Sequence, residues 1–532
     1  MSILPTHQGQ RAYTPLEKYE GPDHYDVIVI GSGMGGMSTS AALARMGRKV
    51  LILEQHYIPG GFTHMFARKG YHWDAGIHAI GEMKPGLPPY KMLDWMGRGK
   101  VKWESLGNPF DVFWFPDGFK WGLPDTSKAY IKQLKEHFPE QSDALDRYFK
   151  QVKRVTRSTI FHLGGKSMPR ALSDFLNNSF DREGKELWLR TTADIMDECE
   201  IKGRLRTILA LHWGYYGAVP TESSFAIHAL THTHFWNGAY YPVGGSQSVA
   251  SALLGTVIDA GGHCITKASV EEILVENERA TGVRMEDGRI FTAKTIVSAA
   301  GAKNTVNYLV PEDYQNSEWA QTIRDVPSSP PYICMNLGFK GDIAAAGATK
   351  SNLWLMDSWE LASNYWDWDN QENPHVLYCS FPSLKDPEYN PGPKQKHTGE
   401  AITFLDWSLF KKWESSLHGE RDEEYEALKE QIENRLLKTM RDNLPDLMEL
   451  LDHHELSTPI TAQHFVRADQ GAIYGLKASP ERFTNPELRT RTPIKRLFMT
   501  GADVISLGVS GAMISGVLTA ASIDPRIYPR LF

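Results

Sequence analysis

The stretch Tyr25-Asp26-Val27-Ile28-Val29-Ile30-Gly31-Ser32-Gly33-Met34-Gly35-Gly36 opens the segment that decides the fold. Val27 to Ile30 is an unbroken β-branched run, the pattern of a strand buried on both faces of a parallel sheet. Gly31, Gly33 and Gly36 follow at once in the spacing G-x-G-x-x-G. Ser38 to Met46 is rich in small residues and reads as a helix. Val50 to Leu53 is a second apolar run, ending at Glu54. Strand, glycine turn, helix, strand and acid within about 30 residues make a dinucleotide-binding unit. Gly31 permits the tight turn, Gly33 lets a pyrophosphate approach the backbone, and Gly36 lets helix and strand pack closely. Ser32 sits inside the turn and is assigned to the same site. The helix N-terminus offers unpaired N–H groups and partial positive charge to the phosphates. Glu54, 18 residues beyond Gly36, accepts ribose hydroxyls. It suits the adenosine ribose of NAD or FAD and disfavours a 2′-phosphate.

The next residues narrow the choice. Glu54 is followed by five residues and then Gly60-Gly61, and Gly70 begins the run G-Y-x-x-D-x-G-x-H, ending at Asp74, Gly76 and His78. Two adjacent glycines let the chain turn back toward the pyrophosphate unobstructed. These runs resemble the phytoene desaturase, carotenoid isomerase and retinol saturase group of FAD oxidoreductases, part of a wider set that includes the amine oxidases. The resemblance implies an α/β fold. Its core is a Rossmann-type FAD-binding domain of the glutathione-reductase-like type, carrying a discontinuous α+β substrate-capping domain. The cofactor implied is FAD. Ala79 stands after His78, where the group more usually carries an aromatic residue.

Farther along, the chain alternates between two characters. Residues 22–89 form the first part of the FAD domain. Residues 90–235 read as a cap built mainly of helices, with helical stretches over 126–154, 172–180, 185–198 and 204–216. Residues 236–308 return to the nucleotide fold: Pro242-Val243-Gly244-Gly245-Ser246 precedes a helix, and Asp287-Gly288 is a hairpin signal between alternating strands. By resemblance, Val270 gives a backbone contact to adenine. Residues 309–460 form the second half of the cap, with strands over 376–381 and 401–407 and an amphipathic helix over 423–441. Its many tryptophans line a substrate tunnel, face a membrane or fill ordinary core. Residues 461–532 complete the FAD domain. There Gly471-Ala472-Ile473-Tyr474-Gly475 resembles a segment that passes near the flavin. Gly501-Ala502-Asp503 ends a strand, and a small-residue helix carrying Gly511 and Ala512 aims its N-terminus inward. That helix end stabilises negative charge on a reduced flavin. Asp503 is expected at the ribityl–pyrophosphate region.

Composition sets outer limits. The chain has 532 residues, 41% hydrophobic and 23% charged, which suits a multi-domain globular protein. A net charge of -7 gives no electrostatic case for nucleic acid. The 4 cysteines lie far apart, so neither a disulfide framework nor a zinc site is expected, and reduced thiols suit a cytoplasmic setting. His232, His234 and the His453-His454-Glu455 run lack metal-site spacing, so no metal is expected. The weakly charged segment 502–523 is broken by glycines and reads as a loop and buried helix rather than a span.

No second G-x-G-x-x-G occurs, so electrons are expected to leave to oxygen or a quinone unless the reaction is redox-neutral. The favoured reading is desaturation, saturation or isomerisation of C=C bonds in a long apolar polyene or unsaturated lipid. Candidate acid–base groups are His78, Glu82, His464 and Tyr474, from segments expected near the isoalloxazine. An apolar substrate implies a monotopic membrane contact through the cap, on the inner face. Two competitors remain: a flavin amine oxidase on the same fold, and a flavoprotein that only holds its FAD.

Overall fold

The computed structural model describes residues 4–180, 182–360, 365–417 and 419–531. The apolar run of the opening motif becomes the strand His24–Ile30, at the centre of an 8-stranded sheet. Val50–Leu53, His263–Thr266 and Thr14–Pro15 continue the sheet on one side, all parallel. Ile290–Ser298 pairs parallel with it on the other side. The far edge of that long strand is shared. Its first residues meet Arg279–Met285 antiparallel, and Ile296 to Ser298 meet Leu497–Met499 in parallel. The hairpin turn at Asp287-Gly288 forms as read, with Gly288 at φ 85.

The first and last helices lie against each other on this sheet. Met34–Arg45 and Gly508–Ile523 pack with Val29, Ile52, Met37 and Val517 in one apolar cluster. Their approach is close because both are built of small residues. A Cβ on Gly516 would come within 2.5 Å of the Gly35 carbonyl oxygen, and Thr39 Oγ1 donates to the Gly516 carbonyl at 3.1 Å. The segment 502–523 is thus a turn and a buried interior helix. No helix among the described residues is long and apolar enough to cross a membrane.

The second sheet has 7 strands, in the order Leu451–Ser457, Tyr332–Lys340, Lys396–Phe404, Val376–Ser380, Asn352–Met356, Asp111–Trp114 and Lys120–Leu123. Only the contact between Asn352–Met356 and Asp111–Trp114 is parallel. One face carries Leu337, Leu377, Ala401 and Leu353, packed beneath the Glu423–Asn443 helix through Ile432 and Leu436. The opposite face looks toward the first sheet.

Two local readings need correction. The stretch 126–154 is not one helix. It divides into Ser127–His137 and Ser142–Gly165, because Pro139 holds the preceding Phe138 at φ -130, ψ 58, outside the helical region. The stretch 185–198 also divides: Thr191 caps a new helix, Thr192–Glu198, through a capping box with Asp194. The stretch 90–235 is built mainly of helices, as expected, but also holds the unexpected hairpin Asp111–Trp114/Lys120–Leu123. The turn signal Asp117-Gly118 between two apolar runs marks that hairpin, with Gly118 at φ 80.

Candidate active site

Between the two sheets runs a continuous cavity of about 1450 Å³. Its two ends are built differently.

One end is a cradle of backbone. Gly31 holds φ 98, a conformation few other residues adopt, and Gly33 has open space where a Cβ would sit. Gly61, at φ 54, would place a Cβ 3.0 Å from the Gly33 Cα. Gly501, at φ 109, also leaves open space on the cavity side, and a Cβ on Gly35 would lie 2.5 Å from its Cα. The two ends of the chain therefore meet at glycines. Gly31, Gly33, Gly61, Val270, Gly501, Asp503, Gly511 and Ala512 all border the cavity, the last two in the opening turns of the Gly508–Ile523 helix. Asp503 is held by backbone: its carboxylate accepts from Ala302 N and Leu476 N, each at 2.8 Å.

Glu54 borders the cavity, and its remaining capacity can be counted. Oε2 accepts from Ser32 N at 2.9 Å and Ser32 Oγ at 2.5 Å; Oε1 accepts from His56 N at 2.9 Å. With two lone pairs on each oxygen, one acceptor position on Oε1 is left for a ribose hydroxyl. Ser32 is itself fully buried and lies behind the wall, accepting from Gly60 N at 2.9 Å. Gly36 and Gly60 also lie behind it. A Cβ on Gly36 would overlap the Gly31 carbonyl oxygen, so its task is packing. Ser32, Gly36 and Gly60 thus lie behind the cavity wall and brace the cradle. The open positions at Gly33 and Gly501, the free acceptor of Glu54 and the helix N-terminus fit an extended dinucleotide.

The other end is a chamber of side chains from the second sheet and the cap helix Phe225–His234. Trp354, Tyr378 and Ile402 stand in register on adjacent strands and face the cavity with Phe404. Ile227 and Leu230 of the helix close the opposite wall. Ala79 borders the chamber as well, so the position that more usually carries a ring is open. Of the cap tryptophans, Trp354 is on the wall. Trp366 and Trp413 are core, and Trp359 stacks on Phe115 at 3.8 Å.

Beside the apolar row runs a polar one. Asn336, Glu400 and Ser380 are cross-strand neighbours, on the same sheet face as Tyr378 and Ile402. Lys385 spans this row: its ammonium donates to Ser380 Oγ at 2.7 Å, Asn352 Oδ1 at 2.5 Å and the His78 carbonyl at 2.7 Å. Burial pulls its pKa down to about 8, against the raising effect of Glu400, Asp111 and Asp74. Asp111 accepts from Asn352 Nδ2 at 2.6 Å and Tyr215 OH at 2.7 Å, and burial pushes it up to about 6.

The candidate acid–base residues separate on this frame. His78, Glu82 and Tyr474 border the cavity; His464 does not, and lies beside Phe465 on the Pro459–Val466 helix. His78 Nδ1 is 2.8 Å from Glu400 Oε2, with Glu400 fully buried. Glu82, at φ 60, is paired with His234 Nδ1 at 3.1 Å, while His234 Nε2 accepts from Gly81 N at 2.7 Å. The Tyr474 hydroxyl donates to the Gly214 carbonyl at 3.3 Å, and burial raises its pKa. The motif aspartate Asp74 is structural. It accepts from Ser246 N at 2.8 Å, Ser246 Oγ at 2.5 Å and Tyr241 OH, and so ties two glycine-rich segments together. Burial is the main cause of its raised pKa. Glu400, Lys385 and His234 escape sequence reasoning. The one available signal was Glu400 alternating with Ile402 and Phe404, a charge on the inward face of a strand.

The profile of the family described as "Flavin containing amine oxidoreductase" matches residues 34–524. An all-trans-retinol 13,14-reductase of Danio rerio is 32% identical over 531 residues, covering 94% of this chain and 86% of the relative. A chloroplastic prolycopene isomerase 2 of an Oncidium hybrid cultivar is 27% identical over 533 residues, covering 94% and 84%. Cyclohexylamine oxidase from Brevibacterium oxydans shares the fold, with TM-score 0.61 and 16% identity over 96% of this chain and 100% of that one. The resemblance read in the glycine motifs therefore holds across the chain. The chain belongs to the flavin-containing amine oxidoreductase family and is an FAD-dependent oxidoreductase.

Proposed function

We propose that this member of the family transforms C=C bonds of a retinoid- or carotenoid-like polyene. One observation carries the reading: the dinucleotide cradle opens without interruption into a long apolar chamber walled by Trp354, Tyr378, Ile402 and Phe404. Such a wall offers area to a conjugated chain. The activities named for two relatives matched over most of their length, retinol reduction and prolycopene isomerisation, support the same substrate class.

FAD supplies hydride chemistry when bound. Glu54 and Val270 hold its adenosine end. Gly31, Gly33 and Gly61 admit the pyrophosphate, and Gly501, Asp503, Gly511 and Ala512 meet the ribityl and flavin portion. His78, Glu82 and Tyr474 are the groups able to exchange protons with a bound polyene. The electron partner is oxygen, a quinone or another lipid-soluble carrier. Delivery of the substrate uses a membrane contact through the cap: Leu172 and Phe175 are exposed on the Arg170–Phe180 helix, next to the helix that carries the cavity residues Thr159 and Leu163. Flotation with liposomes tests that contact, and a protein left wholly at the bottom of the gradient refutes it.

The deciding experiment incubates holoprotein anaerobically, oxidised and dithionite-reduced, with all-trans-retinol, prolycopene and simple amines. Chromatography with absorption detection reads a change in conjugation or geometry. Conversion of a polyene by either form supports the reading. Bleaching of the oxidised flavin by amines, with every polyene unchanged, overturns it in favour of amine oxidation.

A further inference from the structure

The cavity holds two imidazole–carboxylate pairs of opposite build. In His234–Glu82 both ring nitrogens are used: Nε2 accepts from Gly81 N at 2.7 Å, so Nδ1 carries the proton and faces Glu82 at 3.1 Å. That ring has no nitrogen left for a ligand. It is a brace for Glu82.

In His78–Glu400 the order is inverted. The carboxylate is sealed, fully buried on the polar row of the second sheet, and the imidazole borders the chamber. Neither Glu400 oxygen has a well-aligned hydrogen-bond donor, and His78 Nδ1, itself without another partner, lies 2.8 Å from Oε2 in a contact too bent to count as a hydrogen bond. The other charged or titratable groups around the pair are accounted for. Lys385 spends its ammonium on three neutral oxygens, one of them the His78 carbonyl. Asp74 serves Ser246 and Tyr241, and Asp111 serves Asn352 and Tyr215. Tyr378 contacts the His78 ring at 5.9 Å between centroids, and Cys334 lies on the neighbouring strand. A buried carboxylate without a donor is costly, so Glu400 needs the Nδ1 proton of His78. A proton fixed on Nδ1 makes Nε2 the exchanging atom.

We propose that Glu400 is a positioning residue that fixes the Nδ1–H of His78 and thereby presents Nε2 to the chamber as its proton-transfer atom. This deepens the polyene reading and rests on it for the substrate. Saturating one C=C bond adds a hydride to one carbon and a proton to its neighbour. The hydride's two electrons come from FAD that an external donor, dithionite in the assay, has reduced. The proton leaves Nε2 of the doubly protonated ring. Its N–H pair stays on nitrogen, the π pair of the alkene forms the new C–H bond, and a hydronium proton from solvent restores the ring.

The test has a readout independent of turnover. Holoprotein labelled with ¹⁵N-histidine gives the His78 ring signals by long-range correlation spectra, assigned by their loss in His78→Asn. The wild type is expected to show Nδ1 protonated and Nε2 exchanging. Glu400→Leu is expected to lose that preference while keeping FAD. Glu400→Gln, whose amide oxygen still accepts, is expected to retain it in part. In the retinol or prolycopene assay, Glu400→Leu should lower kcat by about 100-fold or more, with KM within about threefold and partial recovery in Glu400→Gln. A folded, FAD-loaded Glu400→Leu protein with unchanged His78 signals overturns the proposal. Unchanged kcat in that variant does the same. If no polyene is converted while the ¹⁵N pattern follows Glu400, the substrate reading fails and the positioning role stands.

Discussion

Around Gly31 to Gly36 the cavity wall is backbone, and positions 33 and 501 leave free the space a Cβ would take. Around His78 the wall is side chain, backed by Glu400 and Asp111 in the second sheet and by Lys385 on the short helix Pro382–Lys385. The cradle is shaped by what is missing. The chamber is shaped by buried charges that must each find a partner. The two ends should therefore fail differently: the cradle when atoms are added, the chamber and its supports when partners are removed.

The largest effect expected is Gly36→Val. Its side chain would run into the Gly31 carbonyl oxygen and the Ala299 side chain, leaving helix and strand no way to pack. The cost should exceed about 4 kcal/mol, and the purified protein should show neither flavin absorbance nor a cooperative unfolding transition. Gly33→Val sharpens the contrast, because nothing in the protein lies within 4 Å of that Cβ. It should fold and unfold cooperatively while holding no FAD. A Gly33→Val protein that keeps its FAD would break the account of the cradle.

Asp74 tests the opposite rule. Removing its carboxylate by Asp74→Ala leaves the Ser246 N–H and the Tyr241 hydroxyl buried without an acceptor, while Ser246 Oγ keeps only the His64 carbonyl at 3.1 Å. The expected loss is about 3 kcal/mol in denaturant unfolding, with FAD retained below the transition. A loss below about 1 kcal/mol would mean that water or a shifted neighbour replaces the carboxylate.

The cradle was legible in sequence because its causes are local. Three glycines, a strand and an acid lie within 30 residues, and each obeys a backbone constraint that only glycine or a buried acid satisfies. The family resemblance and the α/β fold followed from the same residues. Ser32, Gly36 and Gly60 were legible as part of the site but not as its support, because exposure to the cavity is a tertiary property. The chamber was legible only where a motif passed through it, at His78, Glu82 and Tyr474. Glu400 lies 322 positions beyond His78 and meets it only through the pairing of the second sheet. His464 has the right residue type in the right segment, but its helix holds it away from the cavity. The hairpin beginning at Asp111 was readable from Asp117-Gly118, but its strand partner at Asn352–Met356 was not.

Acid should separate the two regions. His212, His228 and His232 form a buried cluster in the cap, with His228 Nε2 and His232 Nε2 3.1 Å apart. Burial holds His212 and His228 well below their usual pKa and His232 down to about 4. The cradle carries two such groups, His64, lowered to about 4, and His56, also lowered, both chiefly by burial. A depressed histidine gives stability that is complete above its unfolded value of 6.5 and lost as pH falls toward the folded one. For His64 that window is worth about 3 kcal/mol. Asp111, raised to about 6, opposes the loss because its folded form takes up a proton first. The histidines outnumber it in the cap. Between pH 6.5 and 4, hydrogen exchange along Phe225–His234 should rise before flavin is released. Flavin release without prior opening of that helix would reverse the ranking.

The smallest effect expected distinguishes holding from bracing. Ser32→Ala removes a donor to Glu54 and the acceptor of Gly60 N, at about 1 kcal/mol, which is a several-fold weakening of FAD binding. Glu54→Gln costs somewhat more. Either amide orientation sets an NH₂ against a backbone donor, at Ser32 N or at His56 N. If Ser32 acts through Glu54, the two losses are not independent, since the second substitution removes a partner that the first has already lost. A double-mutant cycle on FAD affinity should then give a coupling of about 0.5 kcal/mol or more. Strict additivity would mean that Ser32 supports the cradle through Gly60 alone, and that the free acceptor counted on Glu54 does not depend on it.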